Sequence, residues 1–204
     1  MLIVGLTGSL GMGKSTAAEY LRGRGLPLFD ADAEVHRLYE GAAVARIEAA
    51  FPGTTKDGRV DRAKLSAALI AEPKRFAELE TIVHPLVRAA ERTFLKAEAA
   101  RGTRIVVLEI PLLFETGAEV TVDATIVVSA PPELQRQRLL KRQDLALEKL
   151  ERLLARQMPD EKKRERADFV VDTSGELSAS RAQLDAILAQ LKGRKGHAYE
   201  RHWA

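Results

Sequence analysis

Residues Gly8 to Ser15 read GSLGMGKS, and their types and spacing are those of a device that grips polyphosphate. They fit G-x-x-x-x-G-K-[ST], the phosphate-binding loop, in which backbone N–H groups surround phosphate oxygens. Gly8, Gly11 and Gly13 allow positive φ and close approach of the backbone, with Ser9, Leu10 and Met12 between them. Lys14 is placed to put an ammonium on the β- and γ-phosphates. Ser15 offers a hydroxyl to Mg²⁺, and Thr16 continues into the first helical turn. That turn adds the positive end of a helix dipole.

Moving a phosphoryl group also requires an acceptor and a group to orient or deprotonate it. Asp30 and Asp32, in the segment FDADAEVH, are the first candidates. They follow a short apolar run, so they fall at the C-terminal end of a strand, the edge where open α/β sheets bind ligands. Read as extended chain, they face the same way across Ala31. One suits a metal shell and the other a proton acceptor, although an Asp before a helical pattern is also a common cap. His84 and Arg88, in HPLVR, are four apart and share a helical face. Together they suit an anionic substrate, with Pro85 in the first turn of that helix. Glu109 ends a buried strand, and Leu112, Leu113, Phe114 and Glu115 follow in IPLLFE. The three apolar residues are either core or the lining of an acceptor pocket. Arg138 and Arg142 are four apart in a charge-dense stretch, and a guanidinium there can bind two phosphate oxygens at once.

The elements that would hold these groups can be read from periodicity. Five short β-rich runs, 2–6, 27–30, 105–109, 124–128 and 169–171, are mostly continuous apolar segments. That is the pattern of parallel strands covered on both faces. Helical stretches separate them, which predicts a doubly wound parallel sheet. A helix follows the phosphate loop and stops near Gly23-Arg24-Gly25, and another closes the chain over 178–191. Residues 32–101 are too long for one crossover and read as a helical insertion, broken at Pro52-Gly53 and Asp57-Gly58 and restarted near Asp61 and Pro73. Residues 133–166 read either as two solvated amphipathic helices or as a mobile basic lid. The predicted division is a core of 1–31, 102–132 and 167–192, an insertion of 32–101, a lid of 133–166 and a basic tail of 193–204. The tail lacks helical periodicity and is expected to be poorly ordered.

Composition narrows the function classes. The chain has 204 residues, 46% hydrophobic, 30% charged and 5% aromatic, with a net charge of +3. That charge and the scarcity of aromatics argue against a nucleic-acid-binding ATPase. Cysteine is absent, which removes disulfides, thiolate metal sites and cysteine nucleophiles. Asparagine is absent too, so the Asn-Lys-x-Asp motif of a guanine-nucleotide switch cannot be present. No apolar stretch approaches the roughly 20 residues of a membrane span. The opening reads as strand and phosphate loop rather than signal peptide, and the expected compartment is the cytoplasm.

The motifs in order are TGSLGMGKST, FDAD, HPLVR, IPLLFE, QRQRLLKRQD with a downstream Gln157, and ADFVVDTSG. Up to about Leu191 the chain resembles the dephospho-CoA kinase family. The resemblance implies a P-loop kinase-like α/β fold: a doubly wound parallel five-stranded sheet, a helical acceptor-binding insertion and a helical lid. It implies transfer of the ATP γ-phosphate, with Mg²⁺, to the ribose 3′-hydroxyl of dephospho-CoA. A nucleoside or nucleotide monophosphate kinase of the same fold is the alternative. The expected base is Asp32, with Lys14 and Arg142 also catalytic. Expected acceptor contacts are Thr7, Asp32, His84, Arg88, Leu113, Phe114 and Glu115. Expected ATP contacts are the loop from Gly8 to Thr16, Arg138, Arg142, and Asp172, Thr173, Ser174 and Gly175 beside the adenine. Ser15, Asp30 and Asp32 are the expected metal ligands. The expected partners are the two small substrates alone, with no nucleic acid or membrane, in a monomer or weak homo-oligomer. Three positions depart from the family pattern: Glu109 where Asp is usual, Gln143 where Asp often follows the lid arginine, and DTSG where Asn is often found.

Overall fold

The apolar run at the N-terminus forms β1 (Leu2–Thr7), buried at every position. The computed structural model describes residues 1–141 and 157–204. The chain divides into two compact units, one of Met1–Phe29 with Leu95–Ala204 and one of Asp30–Phe94.

In the first unit β1 is central. It pairs in parallel with β5 (Ile105–Glu109) on one side and β6 (Ala124–Ser129) on the other. β7 (Phe169–Asp172) lies parallel to β6, and β2 (Leu28–Asp30) flanks β5. The strand order is β2-β5-β1-β6-β7. Each of the five predicted strands forms within one residue of its predicted ends; β1, β5 and β6 are buried on both faces and carry the plainest apolar signal, while β2 and β7 are more exposed. Leu6 aligns with Glu109 and Ser129 with Asp172, so the phosphate loop, Glu109 and the turn after β7 gather at one edge of the sheet. Helix α1 (Lys14–Gly23) buries Ala17, Ala18 and Leu21 against Leu184, Ile187 and Leu191 of the closing helix, α8 below.

The second unit opens with α2 (Ala31–Leu38) and α3 (Val44–Ala50), and continues with α4 (Arg62–Ala71) and the N-terminal part of α5 (Phe76–Ala100). Its core is Leu38, Ala43, Ile47, Phe51, Val60, Leu65 and Leu69. It is not wholly helical. Thr55–Lys56 (β3) and Arg59–Val60 (β4) form a short antiparallel hairpin around the predicted break at Asp57-Gly58, where Asp57 (φ 51°) and Gly58 (φ 73°) turn left-handed. Two-residue strands are too short to leave a periodic signal. Asp61 caps α4, accepting from the N–H groups of Ala63 and Lys64.

Pro85 does not open a helix. It lies inside α5, where its ring removes the backbone N–H that would bond one turn back. The packing of Phe76, Leu79, Ile82 and Leu86 onto the unit's core carries the helix through the proline.

Of the charge-dense stretch, α6 (Pro132–Leu140) and α7 (Asp160–Arg166) are described, and Arg142, Gln143 and the rest of 142–156 lie outside the described residues. α7 is not a simply solvated helix, since Lys163 in its middle is completely buried. β7 and the closing helix α8 (Leu177–Leu191) follow.

The C-terminal tail is ordered, contrary to the expectation from its composition. Ala198 and Trp203 are buried, and the Trp203 indole N–H donates to the Thr121 carbonyl at 2.9 Å. Asp123 accepts from the N–H groups of His197 (2.6 Å) and Ala198 (2.8 Å) through one oxygen and of Ile3 (2.8 Å) through the other. A short segment fixed by one aromatic anchor and one carboxylate has no periodicity to read.

Candidate active site

The phosphate loop follows from what its residues permit. A Cβ on Gly8 would come within 2.4 Å of the Val128 side chain and 2.8 Å of its carbonyl oxygen, so only glycine lets the loop leave β1 this close to β6. Gly13 takes φ 91° as the N-cap of α1, a conformation L side chains rarely adopt. α1 begins at Lys14, and no side chain caps its first turn. Ser15 and Thr16 are exposed on that first turn. The Met12 N–H donates to the Ser9 carbonyl (3.0 Å) and closes the loop.

Lys14 reaches to the end of β5, and its Nζ donates to Glu109 Oε1 at 2.6 Å. Glu109 is 3% exposed, and its other oxygen lies 3.7 Å from Arg22 of α1. The loop lysine thus rests on a carboxylate at the strand edge.

The crest of the loop is held from two sides. The Leu10 N–H donates to Gln157 Oε1 (3.1 Å), and Gln135 Nε2 of α6 donates to the Leu10 carbonyl (2.8 Å). Arg138, one turn further along α6, donates to the Thr173 carbonyl (2.5 Å), to Thr173 Oγ1 (3.2 Å) and to the Gly11 carbonyl (3.4 Å). Thr173 Oγ1 in turn donates to the Met12 carbonyl (2.8 Å). These contacts join Arg138, the phosphate loop and the DTSG turn in one network.

A cavity of about 270 Å³ opens beside this network, lined by Gly13, Tyr20, Arg138, Thr173, Gly175 and Arg181 among others. Arg181 stacks 5.4 Å above the Tyr20 ring, whose hydroxyl donates to Asp185 at 2.8 Å. The lining thus combines the loop glycines Gly11 and Gly13 with the stacked Tyr20–Arg181 pair. Asp172 is directed at its own turn, accepting from the Ser174 N–H (2.8 Å). Hydrogen bonding from Ser174 holds its carboxyl below the usual carboxylate range, with a smaller contribution from Arg164.

Several expected acceptor residues make contacts within the fold. Leu113 is fully buried, with a methyl carbon 3.0 Å from where a Gly5 Cβ would stand, so it is core. Phe114 is buried with the Arg166 guanidinium 5.0 Å over its ring. Thr7 is fully buried and its hydroxyl donates to the Pro111 carbonyl (3.2 Å). Glu115 accepts from the Met158 N–H (2.7 Å) and lies 2.8 Å from the buried Lys163 ammonium. It ties α7 to the loop after β5.

In the second unit, Asp30 and Asp32 are not alternate residues of one strand. The chain turns helical at Ala31 because Asp30 caps α2, accepting from the Ala33 N–H at 3.0 Å. Asp32 therefore projects, exposed, from the first turn of α2. His84 and Arg88 are both exposed and one turn apart on α5, and Arg88 lies 4.0 Å from the buried Glu91. Lys163, Gln135 and Glu91 escaped the sequence reading. Lys163 and Gln135 sit in runs of polar or charged residues, and Glu91 in a mixed stretch of α5, where burial or a long-range partner leaves no local mark.

The pattern of the dephospho-CoA kinase family matches residues 2–179. The chain is 55% identical over 192 residues to a dephospho-CoA kinase of Rhizobium meliloti (strain 1021), covering 94% of this chain and 99% of the relative. It is 52% identical over 196 residues to one of Mesorhizobium japonicum, covering 96% and 100%. Among solved structures, a Thermus thermophilus protein titled TT1252 superposes with a TM-score of 0.77 at 40% identity, covering 94% of this chain and 98% of that one. A dephospho-CoA kinase from Campylobacter jejuni gives a TM-score of 0.69 at 27% identity over 94% and 98%. With the phosphate loop, the Lys14–Glu109 pair and the adjoining cavity already in place, this chain belongs to the dephospho-CoA kinase family.

Proposed function

We propose that this protein transfers the γ-phosphate of ATP to the ribose 3′-hydroxyl of dephospho-CoA, giving CoA and ADP, the last step of coenzyme A synthesis, in the cytoplasm. Family membership over most of the chain supports this acceptor over a nucleoside or nucleoside monophosphate. The observation that carries the donor half is the loop whose lysine rests on a displaceable carboxylate beside a base-sized cavity.

In this reading the base enters the cavity beside Thr173 and Gly175, and the phosphates lie along the loop from Gly8 to Thr16. The exposed Ser15 hydroxyl on the first turn of α1 suits Mg²⁺, which usually combines few protein ligands with substrate phosphates. When bound, that ion would neutralise charge on the β- and γ-oxygens. Lys14 leaves Glu109 for the same oxygens. Arg138, already against the loop, and Arg142 stabilise the charge that develops as the phosphoryl group moves. Asp32 accepts the proton of the attacking hydroxyl, and Asp30 fixes the start of α2 that presents it. His84 and Arg88 bind acceptor phosphate.

The test is product formation by the purified chain with Mg·ATP and each of dephospho-CoA, AMP, shikimate and a nucleoside. Phosphorylation of dephospho-CoA alone is expected. A better turnover on a nucleoside would overturn the acceptor assignment and leave the phosphate-loop reading standing. Failure to bind Mg·ATP in calorimetry would overturn both.

A further inference from the structure

At the opposite edge of the sheet from the phosphate loop, the docked tail builds a second concave site. A cavity of about 540 Å³ lies against Leu2 at the start of β1 and Val122 and Asp123 before β6. Its remaining wall includes Arg194, Lys195, His197, Arg201 and His202. β1 alone separates this edge from the loop by roughly 20 Å, taking about 3.3 Å per residue.

The tail is docked largely by backbone, apolar and close-approach contacts. Asp123 faces the cavity, but its two oxygens already accept three backbone N–H groups, from Ile3, His197 and Ala198. Trp203 supplies the apolar anchor. Gly196 supplies close approach, since a Cβ there would fall 2.0 Å from the Met1 carbonyl oxygen. Lys195 and Arg201 take no side-chain part in these docking contacts. Instead, three permanent positive charges and two histidines are held around one hollow, at an energetic cost from their mutual repulsion. Arg194 has a packing role, with its guanidinium 5.4 Å over the Phe169 ring. Lys195, His197 and Arg201 are exposed around the hollow.

We infer that this is a binding site for a small anion carrying two or more phosphates, separate from the catalytic loop. The volume falls within the range of small-ligand pockets, which favours a compact oligophosphate over an extended polymer. Arg194, Lys195 and Arg201, all on the tail, supply donors that match phosphate oxygens. Occupation ties the tail more firmly to β1 and β6 and does not compete with ATP.

Trp203 is the chain's one tryptophan and sits in this tail, so its fluorescence reports locally. The probe is inorganic tripolyphosphate at low salt, titrated into the full chain carrying Lys14→Ala to weaken the phosphate loop. Calorimetry and Trp203 emission are read together, and the same titration is repeated after adding Lys195→Ala and Arg201→Ala. Saturable binding that weakens at least tenfold in the added variant supports the site, whether or not the tryptophan responds. The added substitutions are also expected to leave the melting temperature of the anion-free protein unchanged or raised. Absence of saturable binding, or equal affinity with and without Lys195 and Arg201, overturns it. A short single-stranded oligonucleotide binding more than tenfold tighter than tripolyphosphate would make this a nucleic-acid contact and overturn it too.

Discussion

Lys14 Nζ and Glu109 Oε1 stand 2.6 Å apart, joining the phosphate loop to the far end of β5 through a carboxylate that is almost wholly buried. In the proposed mechanism the pair has two opposing effects on a triphosphate. It fixes where the lysine starts, and it places a negative charge next to the incoming phosphates. Glu109→Gln keeps a hydrogen-bond acceptor and removes the charge. The expected result is tighter ATP binding by a few fold together with turnover lowered by about 10–10², because one charge-stabilising donor loses its orientation. Steady-state kinetics at varied ATP separate the two. Unchanged turnover would reduce Glu109 to a packing residue.

Glu115 and Lys163 give the opposite case, a charged pair whose work is structural. Lys163 is fully buried on α7, and Glu115 also accepts from the Met158 N–H. Removing one partner of a buried pair strands the other charge, so Glu115→Ala is expected to destabilise the fold by about 3–5 kcal/mol. Replacing both, as Glu115→Leu with Lys163→Met, is expected to recover much of that loss. Urea unfolding checks both variants. If Glu115→Ala left stability intact and raised only the Michaelis constant of the acceptor, Glu115 would return to the binding site.

What the sequence made legible divides along physical lines. Strands buried on both faces, such as β1 and β6, announce themselves as unbroken apolar runs. The phosphate loop is legible because glycine is required where φ is positive or backbones approach, as at Gly13 and Gly8. Residues whose role depends on a distant partner were not legible. Lys163 looks like any member of DEKKRER until Glu115 is brought beside it from 48 positions away. Leu113 and Phe114 were ambiguous because core and pocket lining draw on the same residue types. Trp203 and Asp123 ordered a tail whose composition resembles a solvated one.

Asp32 occupies the first turn of α2 rather than the end of a strand, with Asp30 acting as the cap. Capping and catalysis are therefore separable by mutation. Asp32→Asn is expected to lower turnover by roughly 10²–10⁴ if it takes the acceptor's proton, with ATP affinity and stability nearly unchanged. Asp30→Ala is expected to destabilise α2 by about 1 kcal/mol through loss of the cap. Parallel kinetics and thermal melts on the two variants would expose an exchange of these roles.

Glu91 supplies a pH dependence whose sign can be worked out. It is 3% exposed on α5, and burial pushes its carboxyl up to about 7, against a smaller opposing effect of Arg88. In the unfolded chain the same group titrates near 4.5. Between these values the folded state holds a proton that the unfolded state has released, so stability falls as pH rises. The contribution is fully present below about pH 4.5 and lost as pH rises through about 7, an effect of about 3 kcal/mol for the shift. Glu91→Gln mimics the protonated form at every pH. It is expected to match the wild type near pH 5 and to exceed its stability at pH 8.5. Denaturant unfolding at the two pH values decides the matter: a Gln variant that shows the same fall in stability toward alkaline pH places the titrating group elsewhere.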